Sequence, residues 1–278
     1  MFDLSSTLAK VVFTATLVLI GFFLFFPLYW LVISAFKANA ELYQVIPTPF
    51  PAQPTLDHFV TALTTGRLPV LLGNSLVISI SSAALVTGLA LYAGYSFAKY
   101  RYIGRQPIML LLLSAQMFPF GLLLISIYPM MSSLGLLDTR PGLVLSYIVF
   151  ALPVSVYMLY SYFSQIPDEL IDAARADGAS DLRIFHTIVI PISMPPIVTV
   201  FLYSFMWSWN DLLYSLTLIH SEDKRTIGPG LLLTYLNEVN SDWGGAMAAS
   251  LMTSAPIVVA FLFLQRFFIQ GITAGAVK

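Results

Sequence analysis

Cysteine is missing from this 278-residue sequence, and charge is scarce. Without cysteine there is no disulfide, no thiolate metal site and no cysteine nucleophile. Asp, Glu, Lys and Arg together make up 10% of the chain, against about a quarter in an ordinary soluble domain. The net charge is −1, and no basic stretch is dense enough to follow a phosphate backbone, which argues against nucleic-acid binding. His58, His186 and His220 are too scattered to form a metal-ligand cluster. No glycine is followed by lysine, so the glycine-rich turn ending in Gly-Lys-Ser/Thr that cradles nucleotide phosphates is absent. No paired carboxylates or grouped histidines fall within an apolar stretch, so a membrane enzyme has nothing to work with. Neither a cofactor nor a metal is expected.

What the chain does contain is apolar sequence. Hydrophobic residues make up 58% and the mean hydropathy is +0.84. A soluble domain of this composition would expose aggregation-prone patches. A bilayer core needs about 20 consecutive apolar residues per helix. Six stretches free of Asp, Glu, Lys and Arg are long enough, lying between Lys10 and Lys37, Arg67 and Lys99, Arg105 and Asp138, Arg140 and Asp168, Arg183 and Asp211, and Asp242 and Arg266. They predict spans near 12–34, 74–98, 107–127, 141–163, 190–212 and 247–267. The first apolar run is longer than the core of a signal peptide and reads as a true span. The fold class is therefore an all-α membrane protein of six transmembrane helices, organised as a single transmembrane domain over 1–278.

An even number of spans puts both termini on one side. Lys10, Lys99, Arg101, Arg105, Arg175, Arg183, Arg266 and Lys278 then share the side of the termini, and Lys37, Arg67, Arg140, Lys224 and Arg225 lie opposite. The positive-inside rule places the termini in the cytoplasm. Pro27, Pro119, Pro153, Pro195, Pro196 and Pro256 fall in the spans and can kink them. Ser75, Ser79, Ser81, Ser82, Gly88 and Gly94 give the second span a small-residue face for close helix approach. The spans carry almost no ionisable groups, which disfavours a carrier driven by an ion gradient.

The loop from Gln165 to Pro191 is the most informative segment. Pro167 suits the first position of a helix, Asp168 and Glu169 suit its N-terminal turn, Gly178 suits a left-handed cap after it, and Ser180 can cap a second helix. Leu170, Ile171, Ala173 and Ala174 make one small apolar face, and Asp172 can pair with Arg175 at i, i+3. Such a helix can seat in a groove on a partner or lie on the bilayer.

The run Asp172-Ala173-Ala174-Arg175-Ala176-Asp177-Gly178-Ala179, continuing to Phe185, Ile190 and Pro191, resembles the EAA loop of bacterial ABC importer permeases. Asp172 stands where that family usually has glutamate, which keeps the charge and shortens the reach. Trp209-Asn210-Asp211 is similar to a signature of the carbohydrate branch, as is the ending Gln265 to Lys278, and Asn74-Ser75 opening the second span also fits. The resemblance covers most of the chain and points to maltose-type, binding-protein-dependent type I importers of the bacterial inner membrane.

The resemblance implies a permease core at about 70–267, an N-terminal span at 12–34, a coupling loop at 165–191 and a cytoplasmic tail at 268–278. It implies a second homologous permease, two ATP-binding subunits and a periplasmic or lipid-anchored solute-binding protein as partners. The cargo would be a sugar or sugar-like small molecule, moved by alternating access. The chain itself would not be an enzyme. Asp172, Ala173, Ala174, Arg175, Asp177, Gly178 and Ala179 would form the ATPase-coupling segment, in which Ala173, Ala174 and Gly178 would allow close approach to the ATPase, while Asp172, Arg175 and Asp177 would supply polar contacts or hold the loop's shape. Asn74, Gln116, Trp207, Trp209 and Asn210 are the candidate solute-pathway residues. Tyr235, Leu236 and Asn237, near the tip of the segment 214–246, are candidates for contact with the binding protein. Trp207, Trp209, Tyr214, Tyr235 and Trp243 are also what an interfacial aromatic belt is made of. A passive solute channel or a membrane scaffold would share the uncharged spans but would leave the loop and the tail unexplained.

Overall fold

The computed structural model describes residues 7–236 and 241–276, with side chains described through Leu262. Helices account for nearly all of it. Among the described residues, extended pairing is limited to one bridge, Leu236 to Ser241. Four helices are long and apolar enough to cross a bilayer unbroken: α1 (Thr7–Ala35), α4 (Leu68–Lys99), α7 (Arg140–Phe163) and α14 (Trp243–Ala276). The short helices α2 (Asn39–Leu42) and α3 (Asp57–Thr64) lie between the first two. Two further crossings are broken. Helix α5 (Arg105–Ser114) continues through a 3₁₀ turn, Ala115–Met117, and meets α6 (Phe120–Ser133) at 102°. The segment α9 (Asp181–Ile184), a π-helical turn Phe185–Val189 and α10 (Ile190–Ile192) meets α11 (Met194–Trp209) at 80°. Counting each bent pair as one gives the six spans the sequence predicts. Helices α8 (Asp168–Ala176), α12 (Leu213–Leu218) and α13 (Ile227–Tyr235) complete the set.

The breaks have local causes. Pro119 precedes α6 as its N-cap residue, and Pro195 and Pro196 open the first turn of α11. Proline cannot donate to the preceding turn, so it starts a helix far better than it continues one. Pro27, Pro153 and Pro256 sit inside α1, α7 and α14, which run on through them. Of the span prolines, Pro119 and the Pro195–Pro196 pair thus lie at the two breaks. Pro191 lies within α10, and the chain turns two residues later at Ser193.

The chain divides into two compact units, Met1–Leu68 with Leu231–Pro256, and Pro69–Gly230 with Ile257–Lys278. In the first unit, the 18-residue apolar core of α1 is unburied, as suits a surface facing lipid. A polar knot follows α1. Lys37 is buried, lies over the Trp30 ring at 4.7 Å and donates to the Thr48 carbonyl at 2.5 Å. Glu41 accepts from the Thr48 hydroxyl and from Ala52 N–H at 3.0 Å. His58 bonds the Lys37 carbonyl at 2.9 Å.

In the second unit, α4 and α7 pack closely. A Cβ added at Gly94 would lie 2.9 Å from Leu159 Cβ and 3.0 Å from the Tyr160 backbone nitrogen. Lipid tails are as apolar as leucine, so helix association in a bilayer depends on this kind of close contact and on interhelical hydrogen bonds. Ser155 of α7 and Ser204 of α11 supply one such bond, 3.3 Å apart and fully buried. One core cluster gathers Tyr95, Leu159, Phe163, Ile171, Ile184 and Phe185 at the end of α4 and α7 near the 165–191 loop. A second gathers Ile78, Met131, Leu143, Tyr147 and Tyr214 toward the opposite end.

Candidate functional site: a capped loop and an aromatic cavity

The loop between α7 and α11 is built from its caps upward. Pro167 is the N-cap residue of α8 rather than its first helical residue, and Asp168 and Glu169 occupy the first turn. At the other end Gly178 has φ +81°. Gly178 N–H donates to the Arg175 carbonyl at 2.9 Å and Ala179 N–H to the Ala174 carbonyl at 3.0 Å. These two bonds form a Schellman cap, which needs a residue tolerant of the left-handed region. Ser180 then caps α9, accepting from Arg183 N–H at 3.4 Å. The two short helices are thus specified by single residues on either side of the turn.

Arg175 fastens them together. Its Nη1 donates to Asp172 Oδ1 at 3.0 Å and its Nε to Asp181 Oδ1 at 2.9 Å. The hydrogen bond from Arg175 holds the Asp181 carboxyl below the usual range. The end of α4 grips the same loop. Lys99, whose side chain is 7% exposed, donates to the Ile166 carbonyl at 2.5 Å and to Asp168 Oδ1 at 2.6 Å, which lowers the Asp168 carboxyl. Tyr100 donates to Asp181 Oδ2 at 3.1 Å. Asp181, Lys99 and Tyr100 are functional neighbours that the motif does not contain. Asp181 directly follows the capping Ser180, but its partner Tyr100, just past the end of α4, is 81 residues away and invisible in a linear reading.

The apolar face expected of Leu170, Ile171, Ala173 and Ala174 is split. Ile171 is buried in the first core cluster, and Ala174 and Ala179 pack against it. Leu170, 41% exposed, and Ala173 face outward. The helix has 3.6 residues per turn, so 171 and 174 share one side and 170 and 173 the next. Asp177 and Gly178 are also exposed.

At the other end of this unit, a polar lattice ties the 138–140 segment to 211–227. Asp138, at φ +55°, accepts from His220 N–H and Ser221 N–H at 2.9 Å each, from the Ser221 hydroxyl, and from Lys224 at 3.0 Å. These bonds, led by the Ser221 hydroxyl, hold its carboxyl well below the usual range. Asn74 is buried. Its amide donates to the carbonyls of Asp223 and Arg225 at 2.8 and 2.9 Å, and its oxygen accepts from Arg140 at 2.8 Å. Both donors of Asn74 are thereby occupied within the chain, so its visible role is structural. Asp211 accepts from Tyr147 at 2.8 Å and from the N–H groups of Tyr214 and Ser215 at 3.2 and 2.9 Å.

Between these ends lies a cavity of about 750 Å³ lined by Phe120, Met158, Tyr203, Trp207 and Asn210 among others. Trp207 is 36% exposed, with ring centroids 4.4 Å from Phe150 and 5.4 Å from Phe120. Asn210 is exposed, with Nδ2 bonded to the Met206 carbonyl at 2.9 Å. Gln116 sits in the 3₁₀ turn at the first break and donates to the Phe150 carbonyl at 2.9 Å. Phe120 and Phe150 were not singled out from the sequence, because phenylalanine in an apolar span carries no signal of its own.

The structure parts the aromatic group. Trp207 and Trp243 are exposed, but Trp209, Tyr214 and Tyr235 are buried at 5%, 0% and 3%. Trp209 stacks on Phe205 at 5.3 Å. Those three belong to the packed interior and not to an interfacial belt, and Trp209 presents no face to a solute. Tyr235 ends α13 with its side chain buried, and its carbonyl accepts from Asp242 N–H at 2.7 Å. Leu236 makes the bridge to Ser241, and Asn237 lies outside the described residues.

A helical membrane protein with two sharply broken spans, an aromatic cavity and a capped, exposed loop at one end has the form of a transporter permease. Residues 86–274 match the family described as binding-protein-dependent transport system inner membrane component. The chain belongs to this family and is an integral inner-membrane protein. It is 34% identical to the inner membrane ABC transporter permease protein YcjP of Escherichia coli, over 98% of each chain. It is 35% identical to the arabinooligosaccharides transport system permease protein AraQ of Halalkalibacterium halodurans, over 93% of each. It is 33% identical to the maltodextrin transport system permease protein MdxG of Bacillus subtilis, over 94% of each. In fold it is similar to a chain of a bacterial ABC transporter involved in the import of the acidic polysaccharide alginate. The TM-score is 0.84 and the identity 20%, over 96% of this chain and 99% of that one.

Proposed function

We propose that this permease carries a neutral sugar or sugar-like solute inward, paired with a second homologous permease and driven by two separate ATP-binding subunits. The observation that carries the reading is the loop at 165–191. It is rigid by construction, since Arg175 joins its two helices and Lys99 and Tyr100 lock it to the end of α4. It also presents Leu170, Ala173, Asp177 and Gly178 to solvent. A push on that surface is transmitted directly to a spanning helix. Asp172, Ala173, Ala174, Arg175, Asp177, Gly178 and Ala179 are the coupling segment, divided between an outward face and an inward anchor. Both termini lie in the cytoplasm with this loop, and a solute-binding protein docks on the opposite side.

The solute would pass the aromatic cavity, where Trp207, backed by Phe150 and Phe120, offers a partly exposed ring face, and Asn210 and Gln116 offer polar groups nearby. Aromatic faces stack on the apolar faces of sugar rings. Transport-system permeases named for arabinooligosaccharides and maltodextrin are similar over nearly the whole chain, which supports a sugar cargo. A passive channel would have no use for the capped loop.

The test is co-purification in mild detergent followed by reconstitution of the recovered complex. An ATPase and a second permease are expected with the tagged chain. Gly178→Asp is expected to assemble with them yet lose uptake while ATP hydrolysis persists. Recovery of the chain alone from cells expressing its neighbours, or normal uptake by Gly178→Asp, counts against the reading.

A further inference from the structure

A second cavity, of about 740 Å³, opens between the α4–α5 turn and α7, and the transport reading makes no use of it. Its lining includes Phe97, Arg101, Tyr102, Arg105, Leu110 and Tyr160. Gly104, at φ +90°, makes the sharp turn that brings Arg101 and Arg105 to one mouth. The two arginines differ from their neighbour Lys99, whose ammonium is committed to Asp168 and the Ile166 carbonyl. Among the described residues, neither Arg101 nor Arg105 has a carboxylate within ion-pair distance. Arg105 lies 5.7 Å from the centroid of the Tyr160 ring and, among the described residues, donates to the Tyr100 carbonyl alone, at 3.4 Å. Two guanidinium groups converge at one pocket with no carboxylate in direct contact, Asp168 acting on Arg101 only at longer range from its place on Lys99, and guanidinium is the side chain best shaped to grip phosphate.

The rest of the cavity is not shaped for a small soluble anion. Below the arginines the wall is apolar, formed by Phe97, Met109, Leu110 and Leu113. On the outward side α5 exposes Leu110 and Leu111, at 67% and 72%, as a helix facing lipid does. The cavity thus has a cationic lip where α4 and α5 leave the bilayer and an apolar wall running along a span. We propose that it is a binding site for an anionic phospholipid, with the headgroup phosphate on Arg101 and Arg105 and an acyl chain along α5. Basic pockets between transmembrane helices at the membrane surface suit such ligands. The site adjoins Lys99 and Tyr100, the two residues that hold the coupling loop, so an occupied pocket would brace the turn that anchors it.

The experiment uses the full chain with its co-purifying subunits, extracted from membranes containing phosphatidylglycerol and phosphatidylethanolamine. Retained lipid is quantified by mass spectrometry. Each basic residue near an anionic surface is worth about fivefold in binding, so Arg101→Gln with Arg105→Gln should lower retained phosphatidylglycerol by about 25-fold and leave phosphatidylethanolamine unchanged. Arg101→Lys with Arg105→Lys should keep most of it, and Arg183→Gln, an exposed arginine on the loop, should keep all of it. On the wild-type complex, dioctanoyl phosphatidylglycerol should displace the retained lipid and glycerol 3-phosphate should not. The proposal is overturned if the wild-type complex retains no phosphatidylglycerol, as it would if an acidic segment of a partner filled the pocket. It is also overturned if the double glutamine variant retains the wild-type amount, if Arg183→Gln loses as much, or if glycerol 3-phosphate competes equally. The displacement arm needs no variant, so a double variant that fails to fold does not shield the proposal.

Discussion

Gly178 is the residue on which the coupling loop turns, and its substitution separates two physical causes. The backbone there is at φ +81°, and a Cβ built on it would meet no heavy atom within 4 Å. A clash of the Cβ with the rest of this chain is therefore excluded, and for alanine only the cost of holding an L-residue in the left-handed region remains. That cost is about 1–2 kcal/mol for alanine and less for asparagine, whose side chain bonds locally. At about 1.4 kcal/mol per tenfold, Gly178→Ala should raise the opening of the α8–α9 turn by about 5- to 30-fold. Gly178→Asn should raise it by less. Gly178→Asp adds a negative charge at the negative end of the α8 dipole, beside Asp177, for a further penalty of about 0.3–1 kcal/mol. The assay is hydrogen exchange at the Gly178 and Ala179 amides, whose bonds to the carbonyls of Arg175 and Ala174 close the cap. The expected order of exchange is glycine slowest, then asparagine, then alanine, with aspartate faster than asparagine. Equal protection in the glycine and alanine proteins, or asparagine faster than alanine, would refute the reasoning.

Three further outcomes follow from other parts of the structure. Asp138 has a carboxyl pKa held well below its unfolded value, so its contribution to stability is complete above about pH 4 and is lost as pH falls below that. Thermal unfolding between pH 7 and 3.5 should show a decline at the acid end that Asp138→Asn flattens while lowering stability at neutral pH. Gly94→Ala should separate α4 from α7, because the new Cβ meets Leu159 and the α7 backbone at about 3 Å; the expected loss is about 1–3 kcal/mol, read as a lower unfolding temperature in detergent. Asp181→Asn should loosen the loop more than Asp172→Asn, measured as protease cutting between α8 and α9, because Asp181 joins Arg175 to Tyr100 whereas Asp172 only pairs within its own helix.

Much of the loop was legible because its signals are local. A helix cap is written in one or two residues, so Gly178, Ser180 and the Asp172–Arg175 pair could be placed from spacing alone. The Pro167 register missed by one residue, since proline is as acceptable at the N-cap as at the first helical position. The anchoring of the loop was not legible. Lys99, Tyr100 and Asp181 meet through chain segments far apart, and the sequence offers no period that links them.

The solute pathway shows the same division. Trp207 and Trp209 are two residues apart on one helix, and at 100° per residue they point to different sides. One lines a cavity and the other packs against Phe205 in the interior. Nothing in the sequence says which side the cavity is on. Asn74 stands out through the family resemblance and Tyr235 through its place near the tip of the 214–246 segment, yet both side chains are buried, Asn74 in a lattice of hydrogen bonds.

The sequence alone determined the membrane class, the six crossings, the missing Gly-Lys phosphate-loop motif and the family of the loop, because each rests on composition, run length or consecutive residues. Only the tertiary structure decided that two crossings are broken by 102° and 80°, that α8 splits its apolar face, and that Arg101 and Arg105 line one pocket. Those depend on which surfaces meet, and contacts between distant segments are set by packing, which leaves no mark on the local pattern of either partner.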